Sequence, residues 1–399
     1  MIAIALLNFG EYSMHYQKRY RLRANTSRLL TLCAAGICCV PVSALDYSAA
    51  LRADSQYEGD GRLDGSSRSE VITRSGLDFT IGERNQYIDL RGNYRYDYEQ
   101  YENDTNTNRS RISGNSDLVA TIVAQRFNWL ASHAVSETSP NRKEAADIAD
   151  NQQRRQQFST GPLLQLPLSS VDTLALNARY TEILFDKTEK AIPNTTTTDS
   201  SNTQAGLNWQ RALSQISSLR VGYQYQDFER DNSSVSTEFQ RIYAGLTRTL
   251  RTLNYSVSVG SNNSKREGQG SDSGLFYQAS IERDDGAQKF SASATKQRTE
   301  SSLGINNLQL DAAIADFDSS ALSVSQSQEN SGIEGSVDIT FLNLDYSSTL
   351  NCKRCSYGIE LSYIESEYDN VPSADDKVSS VVLHYDYRLT PHTTAVLST

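Results

Sequence analysis

Long apolar runs are the first thing missing from this 399-residue chain. Only "LLTLCAAGICCVPV" (29–42) comes near one, and it is too short and too interrupted by Pro41 to span a bilayer as a helix, which needs about 20 residues. With a mean hydropathy of −0.53, a helical membrane protein is excluded. A basic excess is also missing: 38 Lys and Arg stand against 48 Asp and Glu, for a net charge of −10, which removes a nucleic-acid footprint. Histidine is sparse, and His133, His384 and His392 lie too far apart to suggest a metal cluster. No G-x-S-x-G elbow or comparable catalytic constellation occurs, so the sequence points away from an enzyme and implies no cofactor. Proline, at 7 residues, is too rare to break long extended segments.

Cysteine is scarce where it would count. Cys33, Cys38 and Cys39 belong to an N-terminal segment with the marks of a signal peptide: Lys18, Arg19, Arg21, Arg23 and Arg28 as basic region, the apolar run, then Val42-Ser43-Ala44 as cleavage site. Residues 1–44 are therefore read as a targeting peptide, with the start set too far upstream of Met14, and the remainder as one exported domain (45–399) of net charge −14. Cys352 and Cys355 remain, as "NCKRC". A C-x-x-C pair can be redox-active, half a zinc site or a disulfide across a turn. No second pair and no thioredoxin-like pattern accompanies it, so a turn disulfide or inert thiols is the reading for an exported chain.

What the chain does have is a two-residue period. In "IDLRGNYRYDYEQ" (88–100), Ile88, Leu90, Gly92, Tyr94, Tyr96 and Tyr98 share one parity, while Asp89, Arg91, Asn93, Arg95, Asp97 and Glu99 share the other. An extended strand sends alternate side chains to opposite faces, so one face is apolar and rich in tyrosine and the other is charged. The pattern recurs around Tyr180, Trp209, Tyr223, Val257 and Leu361, and 22 tyrosines suit strands with amphipathic aromatic positions. It predicts strands near 46–57, 70–82, 86–100, 112–124, 127–137, 155–166, 172–184, 203–213, 217–229, 239–250, 252–263, 273–283, 287–299, 336–349, 355–366, 378–389 and from 393. "NRKEAADIADNQQRR" (141–155) is the one candidate for a short helix in a loop.

Most of these segments run near ten to thirteen residues, longer than soluble strands of about five or six and suited to tilted bilayer strands of about nine to eleven. Short links ("GERN", "PLSSV", "LSQIS", "DDGA") alternate with long polar ones ("EGDGRLDGSSRS", "ENDTNTNRS", "DKTEKAIPNTTTTDSSN", "SNNSKREGQGSDS"). A soluble sandwich has no reason to collect every long loop at one end, whereas an outer-membrane barrel does. "GQGSDSG" (268–274) has some of the composition of a calcium loop, but a flexible external link explains it more simply.

The fold implied is all-β: a transmembrane antiparallel up-and-down β-barrel of about 16–18 strands in the bacterial outer membrane, with lipid as its partner and a hydrated lumen. Tyrosines face lipid and the headgroup belt, where the ring is apolar and the hydroxyl stays wet. The candidate lumen-lining residues are Arg91, Arg95, Asp97, Glu99, Arg179, Arg220 and Arg241. They would either brace the wall as cross-strand pairs or set a field that selects solutes. Residues 300–335 are read as an inward loop, a plug or an extra strand pair. "YRLTPHTTAVLST" reads as a strand, a turn and half a seventeenth strand, from which truncation is expected.

The segments "LNWQRALSQISSLRVGYQYQDFE" (207–229), "RIYAGLTRTLRTLNYSVSVG" (241–260), "ASIERDDGAQKFSASATKQ" (279–297) and "VVLHYDYRLTPHT" (381–393) resemble a family of β-barrel porins associated with bacterial exosortase (PEP-CTERM) and exopolysaccharide systems. The resemblance covers nearly the whole exported part. It implies an outer-membrane conduit or export component, with polysaccharide or export-system proteins as partners, and it supplies no catalytic or binding residues. The alternative is a plugged structural or adhesive barrel that binds a surface polymer or partner through its long loops.

Overall fold

A computed structural model describes residues 45–58, 70–102, 108–138, 153–186, 198–231, 236–267, 270–300, 336–349, 354–368, 375–390 and 393–398. The expected signal peptide (1–44), the helix candidate up to residue 152, Cys352 and the 301–335 link lie outside the described residues. Residues 153–155 of the helix candidate open a strand instead.

Seventeen strands form one sheet. In chain order they are β1 (Asp46–Glu58), β2 (Glu70–Arg84), β3 (Ile88–Tyr101), β4 (Arg109–Val123), β5 (Phe127–Thr138), β6 (Gln153–Pro167), β7 (Asp172–Phe185), β8 (Ser200–Ser214) and β9 (Ser217–Arg230), followed by β10 (Thr237–Thr249), β11 (Leu253–Arg266), β12 (Ser271–Asp284), β13 (Gln288–Glu300), β14 (Ser336–Ser348), β15 (Cys355–Tyr368), β16 (Asp376–Thr390) and the short β17 (Thr393–Ser398). Each strand pairs antiparallel with its neighbours in sequence, from β1–β2 through to β16–β17. No register joins β1 to β17 among the described residues, and β1 is exposed on both faces, with Leu51 at 90%. All expected strands exist and most run longer than the apolar alternation suggested, because polar residues at the ends of strands continue the ladder.

Up-and-down order puts every link after an odd strand at one end and every link after an even strand at the other. The first set includes 59–69, 139–152, 186–199 and 301–335; the second is 85–87, 124–126, 168–171, 215–216, 250–252, 285–287, 349–354 and 391–392. Local chemistry closes the tight end. Asn85 Oδ1 accepts the backbone N–H groups of Tyr87 and Ile88, at 2.8 and 2.9 Å. Ser169 Oγ accepts those of Val171 and Asp172. In the β12–β13 hairpin, Asp284 Oδ1 accepts Gly286 N–H at 2.8 Å and Asp285 Oδ1 accepts Ala287 and Gln288 N–H, around a Gly286 with φ of 84°. Such side-chain-to-backbone bonds are why Asn, Asp and Ser occupy turns.

The two faces differ in an inverted sense. Large apolar side chains such as Leu207, Val221, Ile242, Leu246, Val259 and Leu342 are exposed, while Gln157, Arg179, Asn202, Gln204, Gln226 and Asn262 are buried. No second layer of secondary structure occurs among the described residues. Strands of 12 to 15 residues (β17 aside), tilted as barrel strands are, rise roughly 30 Å, enough to cross an apolar band of about 25 Å with polar ends projecting.

Candidate functional site

The inner face follows from register. Arg52, Gly76 and Asp97 lie in one row across β1–β3, and Arg179, Gln204, Gln226 and Phe239 in one row across β7–β10. All seven residues singled out in the sequence fall on this face. Their surroundings divide them into two groups.

Arg91, Arg95, Asp97 and Glu99 belong to a wall of matched charges on β1–β4. Arg91 binds Asp89 through two nitrogens at 2.9 and 3.0 Å, and Arg95 Nε donates to Asp78 at 2.8 Å. Asp97 accepts Arg52 at 2.6 Å. Glu99, 1% exposed, is the centre of the group: it accepts Arg74 Nε at 2.9 Å, Arg109 Nε at 2.7 Å, Arg111 Nη1 at 3.1 Å and the Tyr101 hydroxyl at 3.2 Å. Arg111 reaches Glu137 at 2.8 Å, and Arg74 reaches Asp54 at 3.6 Å. Guanidinium and carboxylate alternate here without excess, which braces the wall. Arg52, Arg74, Arg109 and Arg111 were absent from the sequence reading, although a signal existed. The short 85–87 link fixes the β2–β3 register, which places Asp78 opposite Arg95 and Arg74 opposite Glu99.

Arg179, Arg220 and Arg241 sit in different company. The inward positions of β6–β11 hold amides, hydroxyls and glycines, together with Arg155, Arg179, Arg220, Arg230, Arg241 and Arg266, and none of them is Asp or Glu. The acidic residues of the same strands, among them Glu182, Asp227, Glu229 and Glu238, point outward. Arg241 Nε donates to Asn262 Oδ1 at 3.1 Å, and its guanidinium lies 4.8 Å from the centroid of the Phe276 ring. Phe276 in turn packs against Tyr243 at 5.6 Å, and the Tyr243 hydroxyl donates to Asn208 Oδ1 at 2.5 Å. The Tyr243 ring lies where a Cβ on Gly222 would be, so that glycine makes room for the ring. Carboxylates return to the inner face on β12, where Arg298 binds Asp272 and, at 2.7 and 3.0 Å, Asp338.

Toward the long-link end the inner face turns apolar. Ile183, Phe185, Phe228 and Phe239 form one buried cluster, and Val337, Ile339 and Tyr368 another. The outward face carries a polar group on β3–β5. The Tyr94 hydroxyl lies 2.8 Å from both Ser116 Oγ and His133 Nδ1, and its ring lies over Gly114, whose φ of 153° and close approach to the Asn93 carbonyl leave no place for a side chain. Among the described residues no group of His, Cys, Asp and Glu has metal-holding geometry. Cys355 is disulfide-bonded, at the first position of β15.

No family model matches the chain, and no curated protein matches it. Solved structures do. The FrpB iron transporter from Neisseria meningitidis (F5-1 variant) superposes with a TM-score of 0.50 at 11% identity, over 88% of this chain and 62% of that one. The F3-3 variant gives 0.46 at 11%, over 88% and 61%, and OprD of Pseudomonas aeruginosa gives 0.36 at 8%, over 90% and 96%. The chain spans less than two thirds of the FrpB structures it matches. The fold is thus the all-β, up-and-down outer-membrane barrel fold, and an outer-membrane location follows from it and from the exposed apolar belt.

Proposed function

We propose that the protein is a porin-like conduit of the outer membrane, working without chemistry through a hydrated, charge-lined bore. The observation that carries this is the inverted sheet: polar and charged side chains are packed on one face while apolar ones cover the other. Water and solute are the natural neighbours of such an interior, and its unequal walls give a field across the path that sorts solutes by charge. The resemblance to exosortase-associated porins and the amide-rich wall support exopolysaccharide or other surface material as cargo. Single-channel recording of the refolded protein in a planar bilayer tests the conduit. Stable steps of nanosiemens size are expected; a protein that inserts and stays silent overturns it.

A second reading is favoured by one observation. The buried apolar clusters on the inner face at the long-link end, around Phe228 and Val337, are out of place in a freely wet mouth. In this reading the barrel is plugged, and its long links bind a surface polymer or partner.

A further inference from the structure

The outward face of β8–β12 carries charge at its two rims, and the signs are opposite. Near the tight end, the outward positions include Arg211, Arg248 and Arg283, which lie three, one and one residues short of the ends of β8, β10 and β12, and they include no Asp or Glu. Arg251 stands beside them in the 250–252 link. Near the long-link end, the outward positions of the same strands hold Asp227, Glu229 and Glu238 against Lys265. We infer that the basic rim is a binding site for anionic phospholipid. The phosphate headgroups of the leaflet at the tight end sit on these four arginines, and the acyl chains lie on the apolar face next to them.

The cations are open to a ligand. Arg211 and Arg283 are 51% and 60% exposed, and the carboxylates that reach them are Asp172 at 3.8 Å and Asp285 at 3.5 Å. Ion pairs that long and that wet are weak, and a guanidinium has five donors to place. Arg248 and Arg251 are exposed and have no ion-pair or hydrogen-bond partner among the described residues. Phosphate oxygens are the acceptors a planar guanidinium fits best.

The register arranges these arginines along the rim. Arg211 shares a row with Leu219 and Leu246, two residues before Arg248; Arg248 shares a row with Tyr255 and Ile281, two residues before Arg283. One cation thus recurs on every second strand, stepping as the ends of tilted strands step. The surroundings are those of an amphiphile. Tyr255 lies opposite Arg248 and Phe290 opposite Arg283, while Ile281, Leu246 and Val257 are exposed in the same row as Arg248 or the next one inward. Arginine stems lie along apolar surface and send their charge to the headgroup level, where each cation draws anionic lipid. A soluble acidic protein would have to displace headgroups to reach side chains that border the acyl belt, so lipid is the nearer partner. The carboxylates of the other rim repel the same lipid, which confines the preference to one end.

The test refolds the full exported chain into phosphatidylcholine vesicles containing brominated phosphatidylglycerol or, in parallel, brominated phosphatidylcholine. Trp129→Phe leaves Trp209, two residues from Arg211 on the outward face, as the reporter of quenching. Brominated phosphatidylglycerol is expected to compete for this site about fivefold better at low salt, with the advantage narrowing at high salt. Changing Arg211, Arg248, Arg251 and Arg283 to Gln should bring the two lipids to parity, and changing them to Lys should keep most of the preference. Lys265→Gln, at the other rim, should match the parent. Heat-modifiable gel mobility verifies folding; Arg248→Gln with Arg251→Gln, at two exposed positions without partners, should lose about half the preference and serves if the fourfold variant does not fold. Equal quenching by the two lipids, an undiminished preference in the folded Gln variants, or an equal loss in Lys265→Gln would each overturn the proposal. The site does not depend on the conduit reading: a silent barrel with its preference intact overturns only the conduit, and a conducting barrel without it overturns only the lipid site.

Discussion

Glu99→Gln should be the most damaging isosteric change on the inner face. The carboxylate is 1% exposed and receives three guanidinium groups and a phenol, all within 3.2 Å. Replacing it with a neutral amide of the same shape removes the charge that the arginines were desolvated to meet, and it turns an NH₂ toward one of them. Breaking a buried ion pair from one side costs about 3–5 kcal/mol. Arg74 and Arg111 keep Asp54 and Glu137, and Arg111 is partly exposed, so the lower part of that range applies, about 3 kcal/mol. Arg109→Gln, which leaves two arginines on the carboxylate, should cost about 1–2 kcal/mol. The double variant should fall short of the sum by about 1 kcal/mol or more, since the second change removes a cation that the first had stranded. Urea unfolding of the refolded barrel, followed by tryptophan emission and by gel mobility, gives all three values. A Glu99→Gln variant within about 0.5 kcal/mol of wild type, or strict additivity, would refute the idea that this cluster holds β2, β3 and β4 together.

Other consequences are simpler. Gly114→Ala should destabilise by about 2 kcal/mol or more, because its φ and the adjacent Asn93 carbonyl exclude a Cβ, whereas Gly270→Ala, with no atom within 4 Å, should be neutral in the same unfolding assay. Val259→Arg, midway along β11 on the outward face, should cost about 2–4 kcal/mol of barrel stability in lipid, and an equal stability would disprove that this face meets acyl chains. The backbone N–H groups of Gln288 and Ala287 hold the Asp285 carboxyl below its usual range, so its contribution is present above the unfolded value of about 3.9 and fades as pH falls through the lower folded value. The difference in unfolding midpoint between wild type and Asp285→Ala should therefore be constant from neutral pH down to about 5 and shrink below about 4; a difference that grows on acidification would contradict it.

Much of this is legible in the sequence. Parity alone separated Arg95, Asp97 and Glu99 from Tyr94, Tyr96 and Tyr98, since a strand leaves no third choice. Link lengths ordered the ends, because a meander cannot exchange them. Partners were harder. Whether Arg91 serves Asp89 or a solute depends on rotamers, and no period encodes those. Arg179 and Arg95 look alike in sequence, yet one lies in register with Gln204 and the other opposite Asp78, a difference made by the neighbouring strands. The β2–β3 pairing was within reach, although the link lies at 85–87 and not at "GERN" (82–85), which shifts every opposite pair in the hairpin. Position 298 was not: its buried guanidinium meets Asp272 and Asp338 from two other strands, and no alternation rule brings those together.

Because each strand pairs its backbone only with its neighbours in the chain among the described residues, the sheet is a sum of hairpins, and girth is a countable property. Adding or deleting one strand–turn–strand unit at the tight end leaves every other ladder intact, while the circumference changes by two strands and the bore widens or narrows in step. Calibre can thus drift in evolution, or be set by an engineer, by whole-hairpin duplication without redesign of any interface. The cost is carried by the wall: a unit inserted within β1–β4 splits the carboxylate–guanidinium lattice around Glu99.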